Sequence, residues 1–140
     1  MKLIRILFIV FSLSITLTAC TPSSNPPKVE ESENNAKEEE RQSVMNVSID
    51  EAKELIETEN ELFILDVRTK DEFDAGHIDD AVQIPVDELG TRIDEIIEYK
   101  ENPVLVYCRS GRRSRDAAEI LKENGFTNIY NLSDGFMRWK

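Results

Sequence analysis

Cysteine is scarce in this chain of 140 residues: Cys20 and Cys108 are the two present. Cys20 closes a leader-like stretch, which leaves Cys108 without an internal partner, so neither a disulfide framework nor a Cys-based metal site is expected. Histidine occurs once, at position 77. Positive charge is also short: 17 Lys and Arg stand against 28 Asp and Glu, for a formal net charge of -11. That balance excludes nucleic acid as a natural partner and makes an anionic lipid surface repulsive to the mature chain. The apolar stretch from Ile6 to Leu17 is too short to cross a bilayer as a helix, which takes about twenty such residues. No internal repeat is visible.

The stretch instead has the form of a signal-peptide core, preceded by Lys2 and Arg5. Its end, Leu17-Thr18-Ala19-Cys20, resembles the lipobox of bacterial lipoproteins. The resemblance implies cleavage after residue 19 and palmitate-type acylation at Cys20. It also implies an envelope location, on the outer side of the cytoplasmic membrane or periplasmic in a two-membrane bacterium. Ordinary secretion and a retained anchor are the alternatives. Residues 20–43 are rich in Ser, Asn, Pro, Lys and Glu, with almost nothing to bury, and read as a flexible tether. Glu38-Glu39-Glu40 reads as part of that solvated spacer.

Residues 44–140 are the size of one small domain with a single core. Ser48 and Glu51 have capping-box spacing, and Ala52, Leu55 and Ile56 then recur at helical spacing to about Thr58. Leu62 to Leu65 is a short continuous apolar run of the kind buried on both faces of a parallel sheet. Thr69 and Glu72 repeat the capping box for a short turn carrying Phe73, and Ala81 to Ile84 predicts a short strand. Leu89, Ile93, Ile96 and Ile97 predict one face of a helix. Val104 to Tyr107 predicts a strand, and Ala117, Ala118, Ile120 and Leu121 a helix that Gly125 ends. Ile129 to Leu132 is the last predicted strand, followed by an Asp134-Gly135 turn and a terminal Phe136–Trp139 segment. The alternation predicts an α/β domain with a mainly parallel sheet and a site beyond the C-terminal strand ends, where Asp66 and Cys108 lie.

Cys108-Arg109-Ser110-Gly111-Arg112-Arg113 thus occupies a strand-to-helix turn. Turn amides, the positive end of the following helix and Arg109, Arg112, Arg113 and Arg115 all favour a thiolate, so its pKa is expected below the free value of about 8.5.

Five elements in order, Asp66-Val67-Arg68, Glu72-Phe73, Gly76-His77-Ile78, Ile84-Pro85 and Cys108 to Ser114, resemble a single-domain rhodanese, a sulfurtransferase module. Asp80, Gln83 and Asp134 depart from the family pattern at turns around the sheet. Ser110 stands where thiosulfate-specific relatives often carry a second basic residue, which leaves the donor open. The resemblance implies a rhodanese-like α/β fold, a small parallel sheet with helices on both faces. It implies Cys108 as nucleophile and persulfide carrier, Arg109, Ser110, Gly111, Arg112 and Arg113 as substrate-binding residues, and Asp66, Arg68 and Ser114 as support of the site. The implied partners are a small sulfane-sulfur donor and a thiol, cyanide or protein acceptor; no metal or organic cofactor is needed. His77 is placed by the resemblance in a turn away from the loop, and Phe136 and Trp139 are read as core cover. Two other readings stand beside it: a noncatalytic binding module, and a cysteine phosphatase or arsenate reductase. The phosphatase pattern puts arginine six positions after the cysteine, where this chain has Ser114.

Overall fold

The computed structural model describes residues 43–139, so the leader, Cys20 and the tether up to residue 42 lie outside the described residues. Among those described, no helix is long and apolar enough to cross a membrane. The elements in chain order are strand β1 (Ser43–Val47), helix α1 (Ile49–Thr58), β2 (Phe63–Asp66), α2 (Lys70–Asp74), β3 (Val82–Gln83), α3 (Val86–Leu89), two 3₁₀ turns (Ile93–Glu95 and Ile97–Tyr99), β4 (Pro103–Tyr107), α4 (Arg112–Glu123), β5 (Asn128–Leu132) and a last 3₁₀ turn (Phe136–Arg138). The five strands form one parallel sheet in the order β1-β5-β4-β2-β3.

Because successive strand residues face opposite sides, the sheet divides its apolar residues between two layers. Phe63, Leu65, Val104, Val106 and Ile129 face one layer, packed under α4 and the segment from Leu89 to Tyr99. Ile64, Leu105, Tyr107 and Leu132 face the other, under α1 and the chain's C-terminal turn. Cys108 continues the alternation of β4 one residue past its end and falls in the first layer, beside Ala117, Ala118 and Leu121 of α4. Helices therefore cover both faces, as expected. Both capping boxes form: Ser48 with Glu51 opens α1, and Thr69 with Glu72 opens α2.

Two expectations are corrected. The continuous helix through Leu89, Ile93, Ile96 and Ile97 is instead one turn of α helix followed by two 3₁₀ turns. The 3₁₀ repeat is three residues, so Ile93, Ile96 and Tyr99 share the inward side while Ile97 turns out to 39% exposure. Tyr99 then stacks on Phe63, with ring centroids 4.3 Å apart. The second correction is β1, which was not anticipated as a strand. It pairs with β5 alone, at the sheet edge, and buries Val47 as its one fully covered residue, so its apolar pattern is faint.

Candidate functional site

The site lies at the C-terminal ends of the central strands β2 and β4. Backbone there must leave the sheet, and two devices manage it. At the end of β2, Asp66 accepts the Arg68 amide at 2.9 Å and grips the Arg68 guanidinium through Nε and Nη2. Arg68 Nη2 also donates to Gly76 O at 2.8 Å, and the guanidinium lies 4.2 Å from the Phe136 ring centre. Asp66 and Arg68 are 0% and 4% exposed, so the ion pair is a buried brace that ties the Gly76 turn and the Phe136 ring to the sheet. Tyr107 serves the same turn, its hydroxyl accepting the Ile78 amide at 3.1 Å.

At the end of β4 the chain turns through Cys108 to Gly111 into α4. Gly111 adopts φ +86°, and a Cβ there would stand 2.2 Å from Ser133 O. Only glycine fits, by both conformation and space. Gly135 is the second such position: a Cβ on it would stand 2.4 Å from both Arg109 O and Ser110 N. Beyond it, the Phe136 amide donates to Cys108 O at 2.8 Å and the Met137 amide to Arg109 O at 3.0 Å. The carbonyls of the loop are thereby held outward by the C-terminal turn, which leaves its amides free to converge on the sulfur.

Cys108 is 1% exposed. Burial pushes its thiol up, but the Ser114 hydroxyl, 3.5 Å from Sγ, and the amides of Ser110, Ser114 and Gly111 together bring the pKa below the ordinary thiol value. No side chain caps α4 at Gly111, so the sulfur takes up helix-end amides that would otherwise lack a partner. Depression of the thiol pKa was expected, and the turn amides expected to favour the thiolate do so, joined by the Ser114 hydroxyl; the loop arginines, expected to contribute as well, have other engagements. Arg113 forms a two-pronged pair with Glu72 at 2.8 and 2.9 Å and only secondarily feels the thiolate. The Arg109 side chain runs along Met137, with Nε 3.3 Å from Sδ. Arg112 and Arg115 are exposed.

Beside the loop opens a cleft of about 240 Å³, bordered by Arg68, Glu72, Gly76, Arg109, Phe136 and Met137. Phe136 therefore both covers core, as expected, and walls the cleft. Trp139 packs against the same layer as Ile64 and Tyr107. His77 is exposed and stacked on Phe73 at 3.8 Å, with Nδ1 3.0 Å from Phe73 O, and takes no part in the loop. Among the described residues no cluster of His, Cys, Asp or Glu could hold a metal ion. The structure thus brings Cys108, Ser110, Gly111, Arg113 and Ser114 together, with Asp66 and Arg68 one strand away, and leaves Arg112 outside. Glu72, Gly135 and Met137 are the members of the site that sequence reasoning missed. Glu72 was read as a capping-box residue and as part of the Glu72-Phe73 element, with no link to the cysteine loop, and the Gly135 turn gave no sign of where it would press.

A family profile described as rhodanese-like domain matches residues 48–140. YqhL of Bacillus subtilis is 45% identical over 76 residues, covering 54% of this chain and 59% of that protein, so the chain spans little more than half of that relative. Thiosulfate sulfurtransferase GlpE of Coxiella burnetii is 38% identical over 92 residues, 64% of this chain and 81% of that one. A rhodanese-like domain protein of Staphylococcus aureus superposes with a TM-score of 0.62 at 28% identity, over 69% of this chain and 91% of that one. With the profile covering most of the chain, and the fold and the cysteine loop in agreement with it, this chain belongs to the rhodanese-like domain family.

Proposed function

We propose that the chain is a sulfurtransferase whose carrier is Cys108. The observation that carries the reading is the cradle of three amides and one hydroxyl that lowers the pKa of a thiol 1% exposed. The Cys108 thiolate attacks the outer sulfur of a donor such as thiosulfate. The donor's S–S bond breaks, the electron pair leaves with sulfite, and a new S–S bond forms on Cys108. An acceptor thiolate or cyanide then takes the outer sulfur, and Cys108 leaves as the thiolate it began as. The amides that hold the thiolate also hold the anionic persulfide, and one such donor is worth roughly 3 kcal/mol of barrier. Arg109, at the cleft beside the loop, is assigned the anionic group of the donor. Kinship with a protein named thiosulfate sulfurtransferase supports the reading.

The phosphatase alternative loses support from the same loop. The sixth position after Cys108 is Ser114, whose hydroxyl is spent on Sγ and on Gly111 O at 3.2 Å. The noncatalytic alternative explains neither the lowered pKa nor the loop amides. Thiosulfate treatment should add the mass of one sulfur atom to Cys108, cyanide should remove it as thiocyanate, and Cys108→Ser should do neither. Absence of the added sulfur in a folded wild-type protein would leave the binding-module reading in place.

For location we propose a lipid anchor at Cys20, supported by the lipobox-like Leu17-Thr18-Ala19-Cys20 and the polar tether behind it. The mature protein should stay with membranes through a high-salt wash, because acyl chains bury methylenes at about 0.8 kcal/mol each and depend little on charge. Wild type found soluble with an unmodified N-terminus would refute this.

A further inference from the structure

At the edge of the sheet, β1 is paired on one side only. A strand presents its backbone N–H and C=O groups to alternate sides, and Val47 O accepts the Ser133 amide at 3.0 Å, so the polar groups of Val44 and Asn46 face away from β5. Among the described residues no backbone group takes them. Such edges are ordinarily blunted by lysine, proline, a bulge or brevity. The opposite edge, β3, is two residues long, whereas β1 runs five residues in unbroken register on β5, with neither a charge nor a proline. Beside this edge a groove of about 450 Å³ opens against α1, bordered by Met45 and Tyr130 from the sheet and by Glu51, Glu54 and Leu55 from the helix. Met45 is 38% exposed there. The charge on the groove is all of one sign. Glu54 makes no ion pair among the described residues, and Glu51 is held by the Ser48 amide and hydroxyl, neutral donors that leave its charge in place.

An open strand edge, an apolar groove along it and an uncompensated acidic rim define an occupant. We infer that β1 docks an extended, cationic segment of another protein, which joins the sheet as a further strand outside β1. Its backbone pairs with the outward groups of Val44 and Asn46. Side chains of a strand alternate between faces, so lysine or arginine at every second position lies over the groove, with aliphatic stems against Met45, Leu55 and Tyr130 and charged heads at Glu51 and Glu54. Charge decides against two other occupants. A second copy paired through the same edge would bring its own Glu51 and Glu54 up to these, and the residues that precede β1, 21–42, carry six Glu against two Lys and one Arg.

The test measures binding of an acetylated, amidated peptide, Thr-Lys-Val-Lys-Val-Lys-Thr, by fluorescence anisotropy at about 0.15 M salt, where general attraction to an acidic chain is screened. It should bind at least tenfold more tightly than its glutamate-for-lysine counterpart. Two further peptides, N-methylated at the lysines or at the valines, each lose the N–H groups of one strand edge. One of them should lose at least tenfold in affinity and the other stay within about threefold of the parent. Glu54→Lys and Met45→Lys, both at exposed positions, should each weaken binding about tenfold. In the complex the Val44 and Asn46 amides should exchange with solvent at least tenfold more slowly. Absence of binding, or equal effects of the two N-methylated peptides, would overturn the proposal. So would a dimer that Met45→Lys disperses, or a free monomer with Val44 and Asn46 already protected, since a second copy or the chain's own preceding residues would then hold the edge.

Discussion

Two strands end side by side at the top of this sheet, and they handle charge in opposite ways. Asp66 of β2 is in register with Tyr107 of β4, one residue before Cys108, so the two chain ends share a topological position and a degree of burial. At the β2 end the negative charge is met by a side chain, Arg68, inside the protein. At the β4 end it is met chiefly by amides and one hydroxyl, and Arg113, already paired with Glu72, contributes only secondarily. A full ion pair is complete and has nothing left to offer a substrate. Amides around a sulfur stabilise an anion without cancelling it, and so leave a nucleophile. The first end is a brace and the second a reactive centre, although sequence alone shows a charged or polarisable residue after an apolar run in both.

The largest effect should come from unbalancing the brace. Asp66→Ala leaves Arg68 at 4% exposure without its partner, and removing one member of a buried pair costs about 3–5 kcal/mol. Urea denaturation measures it. By contrast, Cys108→Ser should cost less than about 1 kcal/mol while ending sulfur transfer. Similar stability losses from the two would mean that the β4 end is as much a structural support as the β2 end.

The next effect acts on the amide cradle without touching the nucleophile. Gly135→Ala drives a Cβ to within 2.4 Å of the Arg109–Ser110 peptide, which must move, and the Ser110 amide moves with it. The thiol should then titrate about one unit higher, read from the pH dependence of Cys108 alkylation by iodoacetamide, with the plateau rate at high pH preserved. Loss of stability with an unmoved alkylation midpoint would show that the C-terminal turn supports the fold but not the thiolate. A smaller effect is expected at Arg109, whose charge lies on Met137 and does not figure among the causes of the lowered thiol pKa. Arg109→Ala should raise the donor KM about tenfold, leave the acceptor KM within about twofold, and leave the alkylation midpoint in place.

These contrasts also mark what could be read from the residues in advance. The β2 and β4 runs were legible because burial on both faces demands continuous apolar sequence, and both capping boxes were legible because their chemistry is local. The edge strand β1 was not, since one neighbour and one buried residue leave little pattern. Nor was the break after α3, where the same isoleucines satisfy a repeat of three or of 3.6. At the site, Cys108 stood out by its place between strand and helix. The partner of Arg113 did not, because Glu72 is 41 residues away in sequence and already had a local role. Long-range pairing is set by where α2 lies relative to the loop, which spacing does not encode.

That double role of Glu72 gives the smallest prediction, and it concerns acid. Its carboxyl is held down at about 2, chiefly by the hydrogen bonds of Arg113 and further by the Thr69 amide, against burial that pushes it up. A carboxyl depressed on folding contributes stability that is present above its unfolded pKa, near 4.3, and is lost as pH falls through the folded value. The window therefore runs from about pH 4.5 down to about pH 2. With side chains 28% and 27% exposed, solvent screens the pair, and its contribution is about 1 kcal/mol. Glu72→Gln, which has no proton to gain, should flatten stability against pH over that window by this amount. Urea midpoints at pH 6, 4 and 3 for the two proteins measure the difference. Parallel curves would mean that the Glu72–Arg113 pair at the mouth of the cleft adds nothing to the fold.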